Sequence, residues 1–217
     1  MNQKTIFISA LSILVLLFIA GTWFYKNAET LKQQELATAN LAKLMREGAP
    51  SKGDKNANVT IVEFLDPACG ACARFHPFVK NLMANNPGKI RVIVRYAPFH
   101  QGSDYMVKIL EASRKQGKFW QTLEAMFVNQ SQWASHANPQ PNKIWGYLGK
   151  IEKLDLNKLG RDLNASEINQ TIKQDLQDAT ALNVTKTPEF FVNGRPLPSF
   201  GFKQLNDLVA EELSKTN

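Results

Sequence analysis

The chain contains two cysteines, Cys69 and Cys72, and both fall where a short β-rich run gives way to a helix. Val59 to Leu65 reads as a strand, Asp66-Pro67-Ala68 as a turn, and Ala71 to Asn85 as a helix ended by Asn85-Asn86-Pro87-Gly88. The first turn of a helix presents unpaired N–H groups and the positive end of the macrodipole, and both stabilise a thiolate over a thiol. A Cys-x-x-Cys pair at that position has a first sulfur of lowered pKa that can attack a disulfide. Its second sulfur is close enough to resolve the mixed disulfide. On this reading Cys69 is the nucleophile and Cys72 the resolving thiol.

Other chemistries use the same spacing. Zinc takes four protein ligands, or three and a water, and the chain has no second cysteine pair; His76, His100 and His136 show no standard ligand spacing. A non-catalytic metal-binding or delivery module using Cys69, Cys72 and a histidine is therefore the competing reading from another class. Covalent haem attachment needs His after the second cysteine, where Ala73 stands. A purely structural disulfide closing so short a loop would constrain the unfolded chain little.

Thr5 to Tyr25 holds no charged residue and is bounded by Lys4 and Lys26. Its length approaches the roughly 20 residues that span a bilayer, longer than the apolar core of about 7–15 residues in a cleaved signal. It reads as a signal anchor over residues 1–26, with cleavage after Ala20 as the alternative, and the lysines at both ends leave orientation undecided. Residues 27–57 follow as a helical stalk and linker, broken at Gly48 to Asp54. The formal net charge of +7 is spread along the chain without a dense Lys/Arg block, which argues against a nucleic-acid site.

Residues 58–217 read as one domain. Ile90 to Tyr96 forms a second strand. A helical region at about 103–182 follows, with helices expected over Tyr105–Lys115, Phe119–Asn129, Ile144–Lys153 and Ile168–Ala181. Ser131 to Asn142 is expected as a loop, and Asn164 with Glu167 as a capping box. Phe119, Trp120, Phe127, Trp133 and Trp145 read as core. Pro188 to Val192 and Arg195 to Leu197 flank Asn193-Gly194, a hairpin signal, and Lys203 to Ser214 is a last helix.

This order, with Thr187-Pro188 ahead of the hairpin, resembles the thioredoxin fold, an α/β class. The helix-filled interval between Tyr96 and Pro188 resembles the DsbA family of exported thiol–disulfide oxidoreductases. The resemblance implies attacking and resolving roles for Cys69 and Cys72. It implies a cis-proline at Pro188 that faces them and turns Thr187 toward an extended substrate. It also implies a buried acid at Glu63 that exchanges a proton with Cys72. Gly70-Ala71 departs from the strongest oxidants of the family, whose dipeptide carries a histidine. His76 is expected on the helix surface, and His100 has no assigned role.

The expected activity is exchange or introduction of disulfides in cysteine-containing client proteins, with no resident cofactor or metal. A membrane redox partner would reoxidise or reduce the pair. Reductase and isomerase directions remain open. The expected location is periplasmic or extracytoplasmic, at the inner membrane through residues 5–25.

Overall fold

The computed structural model describes residues 3–135 and 137–215, and the side chains of these except residues 3–10, 12, 33 and 34. Helix α1 (Gln3–Leu44) precedes strands β1 (Ser51–Lys52) and β2 (Val59–Leu65), helix α2 (Gly70–Asn85) and strand β3 (Ile90–Tyr96). Helices α3 (Ser103–Arg114), α4 (Phe119–Val128), α5 (Gln130–Trp133), α6 (Trp145–Leu148), α7 (Leu156–Asp162) and α8 (Ser166–Ala181) fill the interval expected to be helical. Strands β4 (Glu189–Val192) and β5 (Arg195–Pro196) and helix α9 (Phe202–Ser214) close the chain.

The β-branched and apolar run of β2 sits mid-sheet, in the order β1-β3-β2-β4-β5, because it can be buried on both faces. Its pairing with β3 is parallel, which requires a crossover, and α2 supplies it. Its pairing with β4 is antiparallel and sets Glu63 between Val94 and Phe190. Val59, Ile61, Glu63 and Leu65 share one face. Over this face Phe75, Val79 and Leu82 of α2 pack with Leu205 and Val209 of α9. On the other face Val62, Phe64 and Phe191 meet Ala179 of α8, Val184 and Leu44.

The helical region builds a second core around Met106, Leu110, Leu123, Met126 and Trp133, continuous with Leu65 and Cys72. Several local expectations are corrected here. The helix expected over Ile144–Lys153 is a 3₁₀ turn, Pro141–Ile144, followed by α6, which ends ahead of Gly149. A further helix, α7, is capped by Asp155, whose carboxylate accepts from the Lys158 N–H at 2.9 Å. Asn164 caps nothing: α8 opens after Ala165, and Glu167 pairs with Lys115 at 2.7 Å. Trp133 belongs to α5 rather than a loop, and its indole donates to the Met126 carbonyl at 3.0 Å. His136 lies outside the described residues.

Asn193 (φ 48°) and Gly194 (φ 83°) both adopt the left-handed backbone that a two-residue hairpin turn needs. The end of α1 docks beside this turn, burying Ala37 and Leu44, with the Asn40 amide 3.5 Å from the Gly194 carbonyl. Fully buried Arg95 completes the docking. Its guanidinium donates to the Lys43 carbonyl and, at 3.3 Å, to the Leu44 carbonyl. It also donates to Asp175 at 2.9 Å and Asp178 at 2.6 Å. Upstream, α1 runs unbroken through the segment expected in a membrane. Among the described residues no helix is long and apolar enough to cross one, and the side chains of residues 5–10 and 12 lie outside the described set. Leu14, Leu16, Leu17, Phe18, Trp23 and Phe24 project from it as exposed side chains.

Candidate active site

Cys69 is the N-cap of α2 and Cys72 lies in its first turn. Cys72 has no exposed surface, whereas Cys69 retains 6%, so only the first sulfur can meet another molecule. Both are free thiols. The Cys72 thiol donates to Cys69, the Thr187 side chain adds a second hydrogen bond, and the N–H groups of Cys72 and Ala71 a third and fourth. These outweigh burial and lower the Cys69 pKa from 9.0 to about 5. Burial, the bond to Cys69 and the Glu63 charge push Cys72 well above the ordinary thiol range. One sulfur is thereby poised as thiolate and the other as thiol.

The cis Thr187–Pro188 bond faces this pair, and the Thr187 carbonyl oxygen lies 3.1 Å from Cys69 Sγ. Glu63 stands under α2, 5% exposed. Among the described residues its Oε1 has no hydrogen-bond partner. Burial, reinforced by the Cys69 charge, raises its pKa from 4.5 to about 8. A cavity of about 60 Å³ adjoins it, lined by Lys52, His76, Lys80, Trp120 and Glu124 among others. Its volume is enough to admit a water beside the free carboxyl oxygen.

All five residues expected at the site, Cys69, Cys72, Thr187, Pro188 and Glu63, thus come together. His76 departs from expectation. Its side chain is largely buried against Phe127, with Nε2 3.0 Å from Glu124, because α4 of the helical region covers that face of α2. Burial lowers its pKa.

Two residues went unassigned in the sequence. Asp66 is fully buried, and its carboxylate accepts from the N–H groups of Ala68 (2.8 Å), Phe99 (2.7 Å) and His100 (2.8 Å), from His100 Nδ1 (2.7 Å) and from the Ser103 hydroxyl. The Asp-Pro turn signal pointed to its local role but not to the loop it gathers from beyond β3. Gln130 donates to the carbonyls of Pro67 (2.9 Å) and Cys69 (3.0 Å). No local pattern marks it, since the contact joins residues more than sixty positions apart. Among the described residues no group of three or more His, Cys, Asp or Glu side chains is placed to hold a metal ion.

The family model described as Thioredoxin matches residues 45–211, most of the chain and all of this site. The chain belongs to the thioredoxin family. It is 27% identical over 171 residues to a probable disulfide bond formation protein D of Bacillus cereus, covering 76% of this chain and 79% of that one. A thioredoxin-like oxidoreductase from Silicibacter pomeroyi superposes with TM-score 0.68 at 28% identity, over 80% of this chain and 97% of that structure. The thiol–disulfide exchange protein alpha-DsbA2 of Wolbachia pipientis superposes with TM-score 0.70 at 21% identity, over 85% and 97%, a likeness of fold. The chain spans about one fifth of the length of other curated relatives, such as a Na(+)/H(+) antiporter NhaA of Herminiimonas arsenicoxydans that is 32% identical over 146 residues.

Proposed function

We propose that the protein is an extracytoplasmic thiol–disulfide oxidoreductase that introduces disulfides into cysteine-containing clients through Cys69 and Cys72. The observation that carries this reading is the geometry of the pair: Cys69 at the N-cap of α2, 3.1 Å from the Thr187 carbonyl beside the cis-proline, with Cys72 fully buried behind it. Hydrogen bonding also favours the thiolate at Cys69, while burial disfavours a charge on Cys72. Stabilising the reduced form in this way makes the disulfide form an oxidant.

The step balances on these residues. A client thiolate attacks Cys69 Sγ of the oxidised pair, the Cys69–Cys72 bond breaks, and a client–Cys69 disulfide forms. Cys72 leaves with the electron pair and takes a proton from Glu63, whose raised pKa keeps one available at neutral pH. A second client thiolate then attacks the client sulfur, and Cys69 departs as its stabilised thiolate. Two electrons have passed to the protein, and a membrane redox partner removes them. The Thr187 backbone beside Cys69 is placed to pair with an extended segment of the client.

The apolar stretch at residues 5–25 supports export and attachment to the inner membrane. The described part of it, from Leu11 on, exposes apolar side chains on every face of the helix, which suits lipid better than water. The organisation that follows is an anchor at 1–26 and a stalk that ends where α1 docks on the catalytic domain, which takes in Leu44 and strand β1 as well as residues 58–217.

Equilibration of the full chain, in detergent, against glutathione tests the direction of exchange. A potential above roughly −200 mV supports disulfide donation, one near −270 mV makes the protein a reductase, and failure to exchange removes the catalytic reading. Cys72→Ser should accumulate mixed disulfides through Cys69. Membrane extraction at alkaline pH tests the anchor separately: release into the soluble fraction would remove it.

A further inference from the structure

We propose that Gln130 is a positioning residue for the nucleophile, by which the helical region holds the Cys69 loop so that the N–H groups of Ala71 and Cys72 stay aimed at Cys69 Sγ. The inference rests on the reading of Cys69 as nucleophile.

The loop from Asp66 to Cys69 is held from two directions. From within the thioredoxin core, the Asp66 carboxylate binds the Ala68 N–H, and the Cys69 N–H donates to the Asp66 carbonyl at 3.0 Å. From the helical region, one nitrogen of Gln130 donates to the carbonyls of Pro67 and Cys69 at 2.9 and 3.0 Å. Both hydrogens of that amide are thereby committed to the loop. Gln130 has a firm base: it is the first residue of α5, and Trp133 at the other end is buried with its indole tied to α4.

The chemical consequence follows from where these carbonyls lie. These carbonyls flank the nucleophile along the chain, and an amide N–H that bonds a carbonyl oxygen offsets part of its negative charge. Fixing the Cys69 carbonyl also fixes the peptide plane that leads into Gly70 and Ala71. The Cys69 carbonyl also accepts the first helix bond, from the Ala73 N–H at 3.2 Å, and Gln130 adds a second donor at 3.0 Å that holds the plane leading into the N–H groups of Ala71 and Cys72. Gln130 touches neither sulfur in this arrangement and acts through the loop.

Gln130→Ala and Gln130→Glu test this in the full chain. The second keeps the shape but replaces the donors with a negative charge. Ultraviolet titration of the Cys69 thiolate should show a higher midpoint in both variants, further raised in Gln130→Glu. Alkylation of Cys69 between pH 5 and 6 should slow about three- to tenfold. The reduction potential should move in the reducing direction. A side chain with only a structural part would lower the unfolding temperature and leave the thiol midpoint in place. Two folded variants that titrate at the wild-type midpoint overturn the inference. A wild-type Cys69 that titrates as an ordinary thiol overturns the nucleophile reading itself, and the two failures are thus distinct.

Discussion

The carbonyl oxygen of Thr187 lies 3.1 Å from Cys69 Sγ, and the Thr187 side chain is among the groups that favour the Cys69 thiolate. One residue therefore acts on both forms of the sulfur. The carbonyl accepts only from the thiol, and the hydroxyl can donate to the thiolate.

Thr187→Val keeps the carbonyl and removes the hydroxyl, so the balance shifts toward the thiol. A hydrogen bond to a charged group contributes about 1.5–3 kcal/mol, so the Cys69 midpoint should rise by about one to two pH units. Titrating the reduced variant against wild type measures it. An unchanged midpoint would mean that the hydroxyl does not reach the sulfur.

The stability of the reduced and oxidised forms should depend on pH with different slopes. Glu63 is raised from 4.5 to about 8 on folding, so its stabilising contribution is full below pH 4.5 and is lost as pH rises through 8. Cys69 is lowered from 9.0 to about 5, so its contribution is full above pH 9 and is lost as pH falls through 5. Between pH 5 and 8 the two slopes, each at most about 1.4 kcal/mol per pH unit, oppose one another in the reduced protein. The oxidised protein has no thiol to titrate and keeps only the Glu63 slope. Denaturant melts should show the reduced form gaining on the oxidised form as pH rises across this window. Glu63→Gln should remove the decline of the oxidised form.

Arg95 compensates two carboxylates that are otherwise shielded from water. Burial raises the Asp175 pKa even in its presence. Arg95→Met should cost about 3–5 kcal/mol in urea unfolding, because it leaves Asp175 charged and unpaired by its main partner. Arg46, 3.7 Å from Asp175, is the remaining cation there. Part of the loss should return at acid pH, where Asp175 takes up a proton.

Gly194→Ala should detach the end of α1 from the hairpin. A Cβ at this position runs into the Ala37 carbonyl, and the backbone already has φ 83°. The left-handed conformation alone costs a side chain about 1 kcal/mol. Proteolysis between Ala37 and Lys52 should accelerate in the variant, while disulfide exchange at Cys69 continues.

Patterns of short range determined much of this protein. The alternation and branching of Val59–Leu65, the turn at Asp66-Pro67, the cysteine pair at a helix start and the Asn193-Gly194 hairpin each depend on neighbours a few positions away. Local steric and hydrogen-bond rules therefore make them legible. The cysteine pair marked Cys69 and Cys72 in the same way, whereas Pro188 and Glu63 were implied by the resemblance to the thioredoxin fold. Helix boundaries were less legible: Asn164 with Glu167 satisfies a capping pattern, yet Glu167 is drawn to Lys115 on another helix.

Tertiary structure alone decided the environment of the site. The Glu63 acidity comes from its burial between α2 and the sheet. His76 leaves the surface because α4 lies over it, and Asp66 and Gln130 gain their parts from loops and helices far along the chain. Desolvation and the closing of hydrogen bonds between distant segments arise only when those segments meet, and no local sequence pattern encodes that meeting.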